Sequence, residues 1–428
     1  MRTNNDDENQ VTTFAVTDFR DRRDVFGIRK RDRRNHMYVI GKTGTGKSTL
    51  LKNMLVSDIK RGEGLALIDP HGDLAEDILN YVPEDRMEDI IFFNPSDLEY
   101  PIAFNPLEEV NAKQRYLIAS DLISIFKKVW PDYWGPRLEH ILRFSLLTLL
   151  EHPGSTLLDL PRILTDLSFR EIVLKDIKDR HILDFWKLQA GKPGAAKSSE
   201  TISPILNKTG QLVASPYIRY ILGQSESSFN LRRVMDEGKI LIANLSKGRI
   251  GEDTSSLFGT LLVSKIMLSA IGRADIPEEK RKPFHLYVDE VHNYLTPAFA
   301  DILSESRKYG LDLVLAHQYI AQLDEKVRSA IFGNVGTVIS FRVGAEDAPF
   351  LTKEFRPAFD ANDLINLPRY CIYLKLMIDG TTSKPFSART LPPPAAVQSL
   401  RREIVEFSRV KYGRPRFEVE KEIQSSTS

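Results

Sequence analysis

The stretch GKTGTGKS, Gly41 to Ser48, decides the fold of this chain of 428 residues. It fits the pattern G-x-x-x-x-G-K-[ST] at every constrained position. In that pattern glycines let backbone N–H groups curl around phosphate oxygens, the lysine reaches the β- and γ-phosphates, and the hydroxyl ligates Mg²⁺. The stretch therefore predicts a phosphate-binding loop. Its predicted nucleotide contacts are Gly41, Lys42, Thr43, Gly44, Thr45, Gly46, Lys47, Ser48 and Thr49, with Ser48 also a metal ligand.

The segments on either side of the loop have the pattern that such a loop requires. HMYVI, His36 to Ile40, is a short apolar run typical of a buried parallel strand. After the loop, apolar residues recur at helical spacing until Gly62 and Gly64 end the pattern. They are Leu50, Leu51, Met54, Leu55 and Ile59. A glycine-rich turn between ordinary elements is the alternative, and the order strand, loop, helix favours nucleotide binding.

Composition sets few limits on the partner. The 59 Lys and Arg residues against 58 Asp and Glu give a net charge of +1, so any surface for a polyanion must be local. The single cysteine, Cys371, excludes an intrachain disulfide and suits a reducing compartment. At this length we expect two domains, or a core with a large insertion.

No stretch has the composition of an export signal or a membrane span. The N-terminal residues MRTNNDDENQ are polar. The two most apolar windows, Leu257 to Ile271 and Ile141 to Leu150, are interrupted by Lys265 and Arg143, short of the roughly 18 uncharged residues that a span needs. We therefore expect a cytoplasmic protein with no membrane span of its own, associated with a membrane only through partners.

Changes in residue pattern predict the division of the chain. Residues 1–35 are predicted to be a polar arm. Its arginine-rich run Phe19 to Arg34 is interpreted as a solvated face or linker because aspartates offset the charge, with a polyanion site as the alternative. Residues 36–110 and 225–395 are predicted to form one core, residues 111–224 a mostly helical insertion, and residues 396–428 a C-terminal helix and tail.

Short apolar runs alternate with helical patterns in the predicted core. Strands are expected at 36–40, 65–68, 90–93, 240–245, 284–288, 311–316, 337–341 and 371–376. This alternation indicates a mainly parallel, doubly wound sheet whose ligands gather at the carboxyl ends of the strands. The predicted fold class is α/β, a P-loop NTPase core with an all-helical insertion.

The run FHLYVDE, Phe284 to Glu290, is the second chemical signal. It is an apolar strand that ends in two carboxylates, which Mg²⁺ and ATP chemistry needs opposite a phosphate loop. Asp289 is predicted to hold the metal through its water shell, and Glu290 to orient and deprotonate the attacking water. A strand that ends in surface acids is the alternative, and the phosphate loop argues against it.

Two further candidates follow from the run SRKYGLDLVLAHQ. Gln318 ends a buried strand, and its amide is predicted to lie beside the γ-phosphate. A strand-end glutamine that caps a loop is the alternative. Arg307 lies upstream, where an arginine in a ring of subunits can reach the neighbour's ATP, an effect worth roughly 10³ to 10⁵ in rate. A solvated helix end is the alternative for Arg307.

The series GKTGTGKS, LIDPHGDL, GPRLEHIL, YVDEVHNYL, SRKYGLDLVLAHQ and ISFRVGAEDA resembles the HerA/FtsK superfamily of DNA-pumping ATPases, closest to type IV secretion coupling proteins of the TraG/TraD kind. The resemblance covers roughly Phe26 to Arg416. It implies a RecA-like core, hexameric rings with ATP between subunits, and DNA moved through a central pore. By motif, Asp289 and Glu290 form the Walker B pair, Gln318 is the sensor, and Arg307 is the arginine finger in trans.

The resemblance also implies roles for two other basic segments. Arg137, in GPRLEHIL, is expected near the nucleotide or the neighbouring subunit and is an alternative finger to Arg307. A solvated helix start is the other interpretation of Arg137. Lys247 and Arg249, in LSKGRIGED, belong to a pore loop, a nucleotide-edge loop or an ordinary surface turn. Coupling proteins usually begin with transmembrane helices, which this sequence lacks, and this favours a cytoplasmic motor, a partner-tethered subunit or a soluble relative of the HerA kind.

Two functions are compatible with these motifs. The first is an ATP-hydrolysing ring motor that translocates DNA, double-stranded or single-stranded, with a relaxase, nuclease or secretion channel as partner. The second is a nucleotide-gated adaptor that recruits a protein or nucleoprotein substrate without pumping. The motor requires Glu290 for its activity, whereas capture by the adaptor survives replacement of Glu290 by glutamine.

Overall fold

The computed structural model describes residues 9–18, 22–108, 112–132, 134–190, 195–396 and 399–427, with only the backbone at 189–190, 195–201, 302 and 426–427. The chain forms two compact units. The sheet unit contains Met1–Phe93, Leu231–Ser246 and Leu262–Ser408. The helical unit contains Asn94–Asn230, Lys247–Leu261 and Arg409–Ser428.

The sheet unit has thirteen described strands, of which the third to the tenth begin and end close to the eight predicted apolar runs and the other five were not predicted. The thirteen are β1 (Val11–Thr17), β2 (Val25–Arg29), β3 (Met37–Ile40), β4 (Gly64–Asp69), β5 (Ile90–Phe93), β6 (Ile240–Asn244), β7 (Phe284–Val288), β8 (Leu311–His317), β9 (Thr337–Ser340), β10 (Cys371–Lys375), β11 (Met377–Ile378), β12 (Thr381–Thr382) and β13 (Phe386–Thr390). Of these, β11 and β12 form a separate two-stranded sheet.

The described part of the large sheet has eleven strands in the order β2-β1-β13-β10-β9-β3-β8-β7-β4-β6-β5. From β9 to β5 every neighbouring pair is parallel. From β2 to β9 every pair is antiparallel. The parallel strands β3, β4, β5, β6, β7, β8 and β9 are buried along their whole length, as expected of strands covered on both faces. The sheet is therefore mainly parallel, as predicted.

The helices fill the segments between these strands and most of the helical unit. They are α1 (Lys30–Arg33), α2 (Lys47–Arg61), α3 (Asp73–Ile78), α4 (Arg115–Val129), α5 (Pro136–Glu151), α6 (Asp159–Thr165), α7 (Leu167–Leu174), α8 (Arg180–Ala190), α9 (Ala195–Ala214), α10 (Pro216–Leu222), α11 (Leu231–Glu237), α12 (Lys247–Ile250), α13 (Glu252–Ile271), α14 (Pro297–Ser306), α15 (Glu325–Asn334), α16 (Ala348–Phe355), α17 (Ala361–Asn366), α18 (Arg401–Tyr412) and α19 (Arg416–Thr427). Where one C-terminal helix and a tail were predicted, the structure has two helices, α18 and α19.

The predicted polar arm needs correction where the structure describes it. Residues 1–8 and 19–21 lie outside the described residues, but the rest of the segment supplies β1, β2 and α1 to the sheet unit. Phe14 of β1 is fully buried, and β1 packs on α2. The prediction failed because the two strands, VTTFAVT and VFGIR, are short and are flanked by the charged runs DDE and DFRDRRD, so that the composition of the whole segment masked them.

The arginine-rich run also has a buried part. The Arg33 guanidinium is 1% exposed and donates to Asp58 at 2.7 Å and to the Tyr287 hydroxyl at 2.9 Å. Asp58 lies on α2, the helix that follows the candidate phosphate loop. Tyr287 lies on β7, the strand that precedes the two candidate carboxylates. Arg33 is therefore a core residue and not part of a solvated face or a polyanion site.

One described helical segment, Glu252–Asp275, is long and apolar enough by length and composition to cross a membrane. Within its most apolar window, 61% is buried inside the protein, as in a core helix.

Candidate nucleotide-binding site

The phosphate loop joins β3 to α2 at the carboxyl edge of the parallel strands. The path of its backbone depends on two glycines with positive φ, Gly44 at 74° and Gly46 at 125°. A Cβ atom at Gly46 would also lie 2.9 Å from Tyr370 Cδ1, closer than packed atoms allow. Both positions favour glycine for backbone conformation, and Gly46 also for space, which leaves the loop open to a phosphate.

Lys47 is the buried cation of the loop. Its side chain is 6% exposed, and Nζ donates to the Gly41 carbonyl at 2.5 Å. Burial lowers the pKa of Lys47, while the nearby Glu290 and Asp289 carboxylates oppose that change. The Gly41 carbonyl thus accepts the hydrogen bond from the Lys47 ammonium group that the sequence predicts for the phosphate oxygens of a nucleotide.

The two carboxylates follow β7, as predicted. The Asp289 N–H donates to the Ile68 carbonyl at 3.0 Å, which fixes the end of β7 against β4. Asp289 is buried, and burial together with the charges of Glu290 and Asp69 raises its pKa to about 6. Bringing a cation here would favour the charged form of this carboxylate.

Gln318 connects the phosphate loop to the Walker B pair. Its amide nitrogen donates to Glu290 Oε1, and its amide oxygen accepts from the Thr43 hydroxyl at 3.0 Å. Glu290 has φ 49°, an uncommon conformation for a residue other than glycine, and its side chain is 5% exposed. Its second oxygen, Oε2, is buried with no hydrogen-bond partner among the described residues. Gln318 therefore orients a carboxylate that keeps one oxygen available as an acceptor.

The structure adds three residues to the pocket that the sequence argument did not select: His71, Arg369 and Tyr370. The pocket is lined by Thr43, Gly44, Gly46, Lys47, Ser48, Thr49, His71, Asp289, Glu290, Gln318, Arg369 and Tyr370. His71 follows β4, and the rule that ligands gather at strand ends could have found it. Arg369 and Tyr370 precede an antiparallel strand, and no motif in the sequence indicates their position.

Other predicted residues lie outside this pocket. Arg307 is exposed before β8, at the amino edge of the sheet, and donates to the Asn35 side chain at 2.6 Å. Arg137 is exposed in the first turn of α5, in the helical unit. Lys247 and Arg249 lie in the short helix α12 instead of a loop. The role of Arg307 or Arg137 in trans stays a prediction.

The residues present fit a nucleotide with Mg²⁺. Among the described residues, no group of three or more His, Cys, Asp or Glu side chains forms a protein-only metal site. Mg²⁺ in nucleotide sites commonly takes one or two protein oxygens together with phosphate oxygens and water. Ser48 and Asp289 supply two such oxygens. Glu290 Oε2 is buried, accepts no hydrogen bond from the described residues and lies 3.6 Å from His292 Nδ1, which suits it to accept from a bound water.

Comparison with known families decides which kind of P-loop protein this is. The family model for the type IV secretion-system coupling protein DNA-binding domain matches residues 25–349. The chain belongs to this family. Its resemblance to type IV coupling proteins is confirmed, and it is a coupling-protein-like NTPase. No match to the chain was found among curated proteins.

Solved structures show the same fold. The plasmid coupling protein TrwB in complex with ADP and Mg²⁺ matches with a TM-score of 0.60 and 17% identity, covering 87% of this chain and 88% of that chain. TrwB with the GTP analogue GDPNP matches with a TM-score of 0.59 and 17% identity, covering 87% and 89%. VirB4 of Thermoanaerobacter pseudethanolicus matches with a TM-score of 0.59 and 17% identity, covering 91% and 98%. The predicted RecA-like core with a helical insertion is confirmed.

Proposed function

We propose that this coupling-protein-like NTPase hydrolyses ATP in a ring of identical subunits and uses the energy to move DNA. The observation that carries the ATPase assignment is the arrangement of Glu290. One of its oxygens is held by Gln318, and the other is buried without a hydrogen-bond partner among the described residues. A carboxylate fixed in this way beside a phosphate loop is suited to accept a proton from water.

The proposed chemistry assigns one role to each residue. The Glu290 carboxylate accepts a proton from the attacking water, whose oxygen bonds to the γ-phosphorus as the bond to the β,γ-bridging oxygen breaks. Lys47 leaves the Gly41 carbonyl and binds the β- and γ-phosphates. Ser48 and Asp289 would hold Mg²⁺, which supplies charge neutralisation at the phosphates when bound. Gln318 links the γ-phosphate side of the loop to the base through Thr43 and Glu290.

The family supports DNA as the partner, because the matching model describes a DNA-binding domain. The net charge of +1 indicates that DNA contacts depend on local loops and not on bulk charge. The ring, with a hexamer as the proposed state, gives a role to Arg307. This residue is exposed at the amino edge of its own sheet, where it would exchange its hydrogen bond to Asn35 for a contact with the carboxyl-edge site of the next subunit. TrwB bound to ADP and Mg²⁺ is a relative whose ligands match the proposed ones.

The test compares steady-state ATP turnover with and without double-stranded DNA, over protein concentrations that span assembly. We expect DNA to raise turnover, and turnover per chain to rise as rings form. K47A should lose nucleotide binding, while E290Q should bind ATP and fail to hydrolyse it. A single turnover rate, unchanged by DNA and by concentration, would contradict the motor. DNA-independent turnover with nucleotide-dependent capture of a protein would favour the adaptor.

We also propose a cytoplasmic location, with contact to a membrane only through a relaxase, nuclease or channel partner. Separation of membrane and soluble fractions from cells with and without such partners tests this. Recovery of the chain in the membrane fraction without any partner would contradict it.

A further inference from the structure

The turn before β10 brings two residues against the phosphate loop. The Arg369 Nε donates to the Gly44 carbonyl at 2.9 Å, and the Tyr370 N–H donates to the Thr45 carbonyl at 2.9 Å. These are neighbouring carbonyls of the loop. Because β10 runs antiparallel to β9, its amino end lies at the same edge of the sheet as the carboxyl ends of the parallel strands.

Tyr370 holds this turn in an unusual conformation. Its φ is 65°, in the left-handed region that bulky residues rarely adopt. Its carbonyl accepts the Thr390 N–H at 2.8 Å, so the strained residue is tied to β13 on one side and to the loop on the other. Backbone strain that surrounding contacts maintain is concentrated at binding and catalytic sites.

The charge of Arg369 is positioned for an anion. The described lining of the pocket has two cations, Lys47 and Arg369, against two carboxylates, Asp289 and Glu290. Without Arg369, the carboxylates would outnumber the cations in a pocket that must hold a triphosphate. The Arg369 side chain is exposed, and its Nη1 has no partner among the described residues. A guanidinium of this kind can bind phosphate oxygens with its terminal nitrogens.

We propose that Arg369 binds the nucleotide phosphates in cis, from the same subunit that supplies the phosphate loop. This inference rests on the proposed function, because it assigns a further residue to the same nucleotide site. Arg369 contacts the β-phosphate, since its partner Gly44 lies in the part of the loop that wraps that group. The antiparallel part of the sheet then contributes directly to nucleotide affinity.

The test measures the affinity of the full chain and two variants for ATP, ADP and AMP, by competition against a fluorescent ATP analogue. R369A removes both the charge and the donor to Gly44. R369Q removes the charge and keeps an amide N–H that can donate to the Gly44 carbonyl. We expect both variants to bind ATP and ADP about tenfold more weakly or worse, with the affinity for AMP changed less than about twofold.

Three results would overturn the inference: unchanged affinity in both variants, a loss in R369A that R369Q does not share, or an equal loss for all three nucleotides. The second result would mean that the hydrogen bond only supports the loop. If R369A does not fold, the affinities of R369Q alone test the inference.

K47A separates this inference from the proposed function: if K47A loses its affinity for ATP and R369Q does not, only the role of Arg369 fails. If K47A also keeps ATP, both fail.

Discussion

The parallel and antiparallel halves of the sheet contribute different parts of the candidate site. The parallel half, β9 to β5, carries Lys47, Asp289, Glu290 and Gln318 at its carboxyl edge. The antiparallel half, β2 to β10, brings the turn at 369–370 to the same edge and packs β1 on the helix that follows the loop. The proposed roles place binding through Lys47 and the chemistry of turnover in the parallel half, whereas the antiparallel half adds a further proposed nucleotide contact and part of the buried core.

The largest expected effect concerns the amino edge of the parallel half. R307A should lower ATP turnover of the assembled protein by roughly 10³ to 10⁵, with no change in the ATP affinity of the isolated subunit, because the finger acts on the neighbour's phosphates. K308A, at the adjacent exposed lysine, is the matched control and should keep full turnover. Mixing R307A with K47A chains should restore part of the activity. A loss confined to R137A would instead assign the finger to Arg137.

A smaller loss of turnover is expected at the carboxyl edge. E290Q should lower kcat by roughly 10² to 10⁴, since it removes the base and keeps the hydrogen-bonding shape of the side chain. ATP affinity should stay within a few-fold of wild type in a filter-binding measurement. E305Q, at an exposed carboxylate of α14, is the control. Wild-type turnover in E290Q would show that Glu290 is not the base.

The antiparallel half is tested through stability. F14A should lower the free energy of unfolding by about 3 to 5 kcal/mol, because the fully buried ring would leave a cavity. V25A is the matched control on the neighbouring strand: Val25 is 59% exposed, so the cost should be below about 0.5 kcal/mol. Chemical denaturation measures both. Equal, small changes in unfolding free energy for F14A and V25A would contradict the buried position of β1 and support the polar arm that the sequence predicted.

A buried histidine of the parallel half should make stability depend on pH. His36 precedes β3, is 2% exposed, and accepts the Leu313 N–H through Nδ1 at 3.2 Å. Burial lowers its pKa to about 4, despite the opposing charge of Asp312. Between pH 6.5 and 4 the unfolded chain binds this proton more readily, so the stability that neutral His36 contributes is complete above 6.5 and is lost as the pH falls.

The measurement is the difference in unfolding free energy between wild type and H36N across that range. Asparagine tolerates the φ of 59° at this position and does not titrate. We expect the difference to change by about 3 kcal/mol between pH 6.5 and pH 4. Parallel pH curves for the two proteins would contradict the buried neutral state of His36.

The two halves also differ in how far the sequence predicted them. Strands of the parallel half are buried on both faces and stand out as apolar runs that end in Gly41, Asp289 and Gln318. Strands β1 and β2 are short and flanked by charged runs, and β13 is only partly buried and contains Arg389, so composition did not reveal them. The backbone conformation of Tyr370 could not be predicted from its residue type, because an aromatic residue rarely adopts φ 65°. Only the tertiary pairing of β10 with β9 places Arg369 at the loop.

The central claim is that ATP hydrolysis at this site moves DNA, and displacement of a third strand from a DNA triplex tests it most directly. We predict that the wild-type protein with ATP and Mg²⁺ displaces the third strand, and that E290Q, which still binds ATP, does not. Hydrolysis of ATP by the wild-type protein without displacement, or equal displacement by E290Q, would contradict the claim.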